Sequence, residues 1–229
     1  MSASEDITIP LEPDCYYHIY NRGNNSEVIF YTEENYKYFL KKFDSYMSGY
    51  FNVFCYCLLP NHFHFLIKVK SLNEILSQIK IDFLKDLAPE RVDLENLKVF
   101  LNLKNPEYYI SEKFRRFFLS YAKSINKQQE RKGSLFQKYF RRKKINSDEY
   151  FRGLVWYIHN NPVNHKIYSD YKTYKWSSYH RILQNNHSKL IKSEVIEWFE
   201  NRDNYILFHE EKKIEWGKLQ NLIIENDLM

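Results

Sequence analysis

The sequence predicts an α+β domain, an antiparallel sheet with helices packed on one face. Three observations predict it. Strand-like and helix-like segments follow one another in the order β-α-β-β-α-β-α. Two of the strand-like runs are separated only by Pro60-Asn61, which makes them a hairpin. And 44% of the 229 residues are apolar and 18% of the 229 are aromatic, which suffices to bury a sizeable core.

Cys15 to Tyr20 is aromatic and β-branched, and Asn21-Arg-Gly-Asn-Asn25 stops it with turn residues, so a first strand is expected there. Thr32 ahead of Glu33 and Glu34 reads as a helix N-cap. Tyr36, Phe39, Leu40, Phe43 and Met47 then recur at helical spacing up to Gly49. Phe51 to Leu59 is the second strand and His62 to Val69 the third. Residues 71–110 are less regular: a short helix near Leu72–Leu87, then a stretch rich in Leu, Asn and Lys that reads as an insertion. Ser111 with Phe114, Phe117, Phe118, Tyr121 and Ile125 marks a long amphipathic helix ending near Gly133. Phe140 to Ile145 is a strand with a charged edge. Ser147, followed by Asp148 and Glu149, caps a helix running to about Asn161. Pro162 biases the residue before it away from helix, so Asn161 is a possible C-terminal cap. Residues 188–229 read as a helical, acidic module apart from the rest. The expected division is a domain over 1–184, with a possible insertion at 71–110, and an extension over 185–229.

Only 5 Gly and 6 Pro argue against low complexity or a long flexible linker. No stretch approaches the roughly 20 apolar residues of a membrane span. The acidic opening MSASEDITIPLEPD has no apolar run of the signal-peptide kind. Cys15, Cys55 and Cys57 cannot pair evenly and are expected to be reduced thiols in a cytoplasmic protein. The net charge of +5 hides a gradient. Ser111 to Arg152 holds 13 basic and 4 acidic residues, a net of +9, while Ser188 to the end is at −3. The central bases are interleaved with aromatics, which suits a nucleic-acid backbone with unstacked bases. A solvated helix face with its aromatics turned inward has the same pattern.

Two groups of residues carry chemistry. His62 and His64, two apart on a strand, point to one face and can hold a divalent metal between them; two solvated rings at a hairpin edge are the plainer alternative. Tyr157 and Asn161 lie one helical turn apart, about 5–6 Å between Cβ atoms, so a hydroxyl and an amide oxygen address the same place. His159, two positions on from Tyr157, faces elsewhere. Cys55-x-Cys57 beside the histidines allows a Cys₂His₂ zinc site, although two small core residues explain it better.

Together these residues match a family. The chain resembles the single-tyrosine HUH transposases, and most closely the REP-associated tyrosine transposases. The stretches that carry the resemblance are Tyr17-His-Ile-Tyr-Asn-Arg-Gly23, Leu59-Pro-Asn-His-Phe-His-Phe-Leu66, Gly133-Ser-Leu-Phe-Gln137, Tyr157-Ile-His-Asn-Asn-Pro-Val163 and Trp176-Ser-Ser-Tyr179. They run in the family's order from residue 15 to about 183. The resemblance implies a ferredoxin-like (RRM-like) HUH endonuclease core. It implies His62, His64 and Asn161 as ligands of a divalent metal, Mg²⁺ or Mn²⁺, and Tyr157 as the nucleophile. The expected substrate is single-stranded DNA beside a hairpin formed by a palindromic repeat, cut and rejoined through a 5′-phosphotyrosine. Arg115, Arg116, Lys123, Lys127, Arg131, Lys132, Lys138, Arg141, Arg142, Lys143 and Lys144 are the expected DNA contacts, the last four above all. The expected protein is a monomer or homodimer, cytoplasmic and associated with the nucleoid. Two alternatives differ in class: a catalytically silent hairpin or single-strand binder on the same fold, and a zinc hydrolase using His62, His64 and a carboxylate.

Overall fold

The two-residue turn at Pro60-Asn61 joins β2 (Phe51–Leu59) to β3 (His62–Val69), paired from Phe51 with Val69 to Leu59 with His62. The computed structural model of the protein describes residues 9–86 and 106–211. β1 (Tyr16–Arg22) lies antiparallel to β3 and, on its other side, to β4 (Arg141–Ile145), which makes a four-stranded sheet in the order β2-β3-β1-β4. Helix α1 (Glu33–Met47) leads from β1 to β2, and α3 (Pro106–Gln128) precedes β4. This is the ferredoxin-like topology.

Each helix starts where its chemistry allows. The Asn35 side chain accepts a hydrogen bond from the Thr32 amide at 3.2 Å at the head of α1. Ser147 Oγ accepts from the Tyr150 amide at 3.2 Å at the head of α4 (Asp148–Asn164). Helix α4 runs past Pro162, contrary to the expected stop at Asn161. Pro162 lies in the last turn, and the helix closes beyond it through a 3.0 Å bond from the His165 amide to the Asn161 carbonyl.

Helices cover both faces of the sheet rather than the single face expected. On the first face Tyr17, Ile19, Phe63, Phe65 and Ile67 pack with Phe39 and Phe43 of α1 and with Phe114, Phe117 and Tyr121 of α3. On the second, Phe54, Cys55, Leu59 and Leu66 meet Phe151, Leu154, Val155 and Ile158 of α4. An antiparallel sheet with one wet face alternates polar with apolar residues, but β2 and β3 are buried along nearly their whole length. Cover on both sides follows from that composition. Cys55 and Cys57 are free thiols inside this second core, their pKa pushed up by burial.

The second core also takes in α5 (Tyr179–Leu183), α6 (Lys192–Glu197) and α7 (Arg202–Glu211) through Tyr179, Val195, Phe199 and Tyr205. The Ile191 amide donates to the Val53 carbonyl at 3.0 Å, and Trp156 Nε1 donates to the His209 carbonyl at 3.3 Å. Residues 185–211 are therefore built into the domain and do not form a separate extension. Likewise α2 (Leu72–Asp86), at the start of the expected insertion, packs Ile75 and Ile79 into the first core. The remainder of that insertion, 87–105, and of the extension, 212–229, lies outside the described residues. Tyr205 is fully buried, so Tyr205→Ala is expected to lower the unfolding free energy by about 3–5 kcal/mol. Urea titration of the whole protein measures it; a loss below about 1 kcal/mol would mean that the C-terminal helices are dispensable to the core.

Candidate active site

Period-two alternation sets one row of side chains from each strand on the second face of the sheet. β3 contributes His62 and His64. β1 contributes His18, Tyr20 and Arg22, with Tyr20 opposite His64 and Arg22 opposite His62. β4 contributes Arg141 and Lys143, opposite Tyr20 and His18. Helix α4 supplies Tyr157, Asn161 and His165, spaced four apart on one helix face.

The expected metal ligands and the expected nucleophile are brought together. The His62 and His64 ring centroids are 5.2 Å apart with their planes at 90°. The Tyr157 ring stands edge-on to His64 at 5.7 Å and to His18 at 6.2 Å. Asn161 is fully buried in the same cluster, and Tyr157 is only 3% exposed. His165, at the end of α4, packs its ring 4.6 Å from that of His62.

Hydrogen bonds orient the donor atoms. His62 Nδ1 donates to Asn61 Oδ1 at 2.7 Å, which makes Nε2 the nitrogen with the lone pair. His64 Nδ1 and His18 Nε2 share a 3.0 Å bond, which fixes the orientation of the His64 ring. Asn161 Nδ2 donates back to the Tyr157 carbonyl at 3.1 Å. By distance and angle neither His62 Nε2 nor Asn161 Oδ1 completes a hydrogen bond, although both atoms are buried and the Asn161 side chain lies near enough to His62 to act on its ring. Two buried polar atoms so arranged carry a desolvation cost that a cation would remove.

The electrostatics agree with ligation. Burial holds the pKa values of His62 and His64 well below the usual imidazole range, and that of His18 at about 3. The positive charge of Arg22 depresses His62 and His165 further, whereas the Asn161 carboxamide works the other way on His62. All these rings are neutral at pH 7, as metal ligation requires. Among the described residues no three His, Cys, Asp or Glu side chains form a metal-binding group, and the Asn161 carboxamide is the neutral oxygen donor that stands beside His62 in the cluster. Cys55 and Cys57 lie in the second core, packed with Phe54, Leu59 and Leu66.

His159 takes no part, bonded instead to His209 at 3.0 Å and to Ser178 Oγ at 2.8 Å in the second core. His18, Arg22 and His165 belong to the site although motif reading passed over them. The alternation Tyr16-x-His18-x-Tyr20-x-Arg22 and the eight-residue step from Tyr157 to His165 are the signals that reveal them.

The basic residues divide. Arg141 and Lys143 face the histidine cluster, and Lys143 lies 5.7 Å from the Tyr150 ring centroid. Arg142 and Lys144 turn to the opposite face, where Arg142 donates to Ser111 Oγ at 3.0 Å and Lys144 pairs with Glu12 at 2.8 Å. Arg115 and Arg116 both pair with Glu112, at 2.6 and 3.3 Å, and Arg131 pairs with Glu27. Lys123, Lys127, Lys132 and Lys138 are exposed. The four consecutive charges at 141–144 are thus split by strand geometry between two surfaces.

A solved structure of a REP-associated tyrosine transposase bound to a REP hairpin matches this architecture with a TM-score of 0.50 and 14% sequence identity, covering 79% of this chain and 86% of that chain. The chain shares the fold of that transposase. No protein-family model matches the sequence, and no curated protein matches it. In this chain β1 and β3 are the two central strands, and α4 lies across their second face. Among the described residues no helix is long and apolar enough to cross a membrane.

Proposed function

We propose that this chain is a metal-dependent single-stranded DNA endonuclease and strand transferase, a transposase that forms a 5′-phosphotyrosine at sites beside DNA hairpins. One observation carries the reading. Tyr157 stands against His64, with His62 and Asn161 in the same buried cluster, and two of the donor atoms there are unsatisfied.

Tyr157 Oη is the nucleophile. It attacks the scissile phosphorus, the P–O3′ bond breaks, and the DNA is left with a free 3′-OH and a phosphate joined to the tyrosine. The phenol proton passes to solvent and the departing 3′-oxygen takes one from solvent. One phosphodiester replaces another, so attack by a 3′-OH on the phosphotyrosine rejoins the ends without ATP. His62 Nε2, His64 Nε2 and Asn161 Oδ1 would hold the divalent ion, and imidazole donors favour Mn²⁺ over Mg²⁺. Such an ion polarises the scissile phosphate as a Lewis acid. His18 and Asn61 fix the orientation of the two imidazoles through their Nδ1 atoms. Arg22, Arg141 and Lys143 raise the local concentration of phosphate on the same face. The protein acts on DNA at the nucleoid, as monomer or homodimer.

A second reading, a silent binder of hairpins or single strands, draws on the near-complete burial of the Tyr157 residue, 3% exposed. End-labelled single-stranded DNA carrying a hairpin, incubated with Mn²⁺ and run under denaturing conditions, separates the two. Label retained on the protein, lost in Tyr157→Phe and lost with a chelator, is expected. Salt-sensitive binding without a covalent adduct would mean the silent binder, and an adduct that survives in Tyr157→Phe would remove the nucleophile.

A further inference from the structure

A groove on the opposite side of the sheet from the histidines has no part in that chemistry. Helix α3, residues 133–140 and the end of β1 enclose about 470 Å³, within the range of about 300–1,000 Å³ of pockets that take small organic groups. Phe118, Leu119, Ala122, Phe136 and Phe140 make its apolar floor. Arg115, which pairs with Glu112, and Lys123, Lys138 and Arg142 line it as well, and among the described residues no carboxylate does. Leu119 is 44% exposed and Tyr139 53% exposed, so flat apolar surface is open to solvent at the mouth. The Lys138 ammonium lies 5.3 Å from the Tyr139 ring centroid, and the Arg142 guanidinium 5.0 Å from that of Phe140.

An apolar groove with the exposed Lys123 and Lys138 on its border fits a flat heteroaromatic ring tethered to anions. We infer that the groove is a second DNA-binding site, which takes an unpaired nucleobase while Lys123 and Lys138 contact its flanking phosphates. The inference rests on the proposed DNA activity for the identity of its ligand. Continuity with the candidate active site supports it. Asn21 lines the groove, while its neighbours Tyr20 and Arg22 lie on the histidine face. Arg142 lines the groove and Arg141 faces the histidines. The wall of the groove is tied to the same strand end by the Gln137 amide, which donates to the Arg22 carbonyl at 2.9 Å, and by the bridge between Gly23 and Phe136. A single strand rounding the sheet edge at Arg141 and Arg142 therefore meets basic side chains on both faces.

The test uses the full-length protein and an oligothymidine of about 12 nucleotides, with an abasic oligonucleotide of equal length as control. Leu119→Glu and Tyr139→Ala change exposed side chains, and thermal melts verify that each variant keeps the parent fold. Both are expected to weaken oligothymidine binding about tenfold or more, or about 1.4 kcal/mol. The abasic strand is expected to bind the parent no better than it binds the variants. Photocrosslinks from 5-iodouracil are expected in the Phe136–Phe140 segment. Variants that bind like the parent, an abasic strand that binds as tightly as oligothymidine, or crosslinks confined to the histidine face would overturn the inference. So would a shift from dimer to monomer in Leu119→Glu without loss of DNA binding, since the groove would then seat a second copy. Adduct formation on a hairpin oligonucleotide is scored separately. Its absence with groove binding intact removes the proposed chemistry alone, and its presence with groove binding lost removes the groove alone.

Discussion

Lowering the pH from 7 to 5 is expected to destabilise this protein steeply. Five imidazoles are buried: His18, His62, His64, His159 and His209. Burial lowers His18 to about 3 and His209 to about 4, and holds His62, His64 and His159 well below the usual value. In the unfolded chain each titrates near 6.5. Below that pH the unfolded state binds protons that the folded state refuses, so stability is lost as pH falls. The loss begins near 6.5 and continues down to the folded pKa values. Each ring approaches about 1.4 kcal/mol per pH unit in that window. Several acting together remove a large part of the roughly 5–15 kcal/mol of an ordinary domain. Glu112 works in a different window. Arg115 and Arg116 hold its carboxyl at about 2, so its contribution is present above the ordinary carboxylate range and is lost only as pH falls below it. Urea midpoints measured at half-unit steps separate the two, and a midpoint unchanged between pH 7 and pH 5 would contradict the assignment to buried histidines.

Asn161→Leu is expected to abolish adduct formation without unfolding the protein. Asn161 is fully buried and its Oδ1 completes no hydrogen bond. An unmet buried acceptor costs about 1–3 kcal/mol, and leucine has the same branching without the polar atoms. Leucine also loses the Asn161 Nδ2 bond to the Tyr157 carbonyl, which offsets the gain, so the melting temperature should hold within a few degrees, while adduct formation falls by about 100-fold or more, beyond the 10–100-fold typical of outer-shell partners. Asn161→Asp keeps an oxygen at the same position and is expected to retain metal-dependent activity. Adduct formation at the parental rate in Asn161→Leu would exclude the carboxamide as a ligand. A large loss of stability in the same variant would mean that Asn161 is kept for packing.

Much of the architecture was legible because it is local. Pro60-Asn61 can only turn, Ser147 can only cap, and His62 and His64 share a face whichever strands flank them. The candidate site was legible in the same way: the step from Tyr157 to Asn161 sets both on one helix face. Pro162 misled at that point. The packing of Ile158 and its neighbours carries the helix through it, and without that continuation Asn161 would not share a face with Tyr157. Arg141 to Lys144 misled differently. Four adjacent charges look like one patch, but a strand sends them alternately to two surfaces.

By itself the sequence determined the elements, their order and the direction of each side chain within its element. Only the tertiary structure decided that β1 lies beside β3, which brings His18 to His64 and Arg22 opposite His62. It likewise decided that α4 covers the histidine face and that residues through Glu211 complete the core. The reason is that periodicity is a property of a few neighbouring residues. The choice of partner depends on how a whole chain buries two apolar faces of one sheet at once.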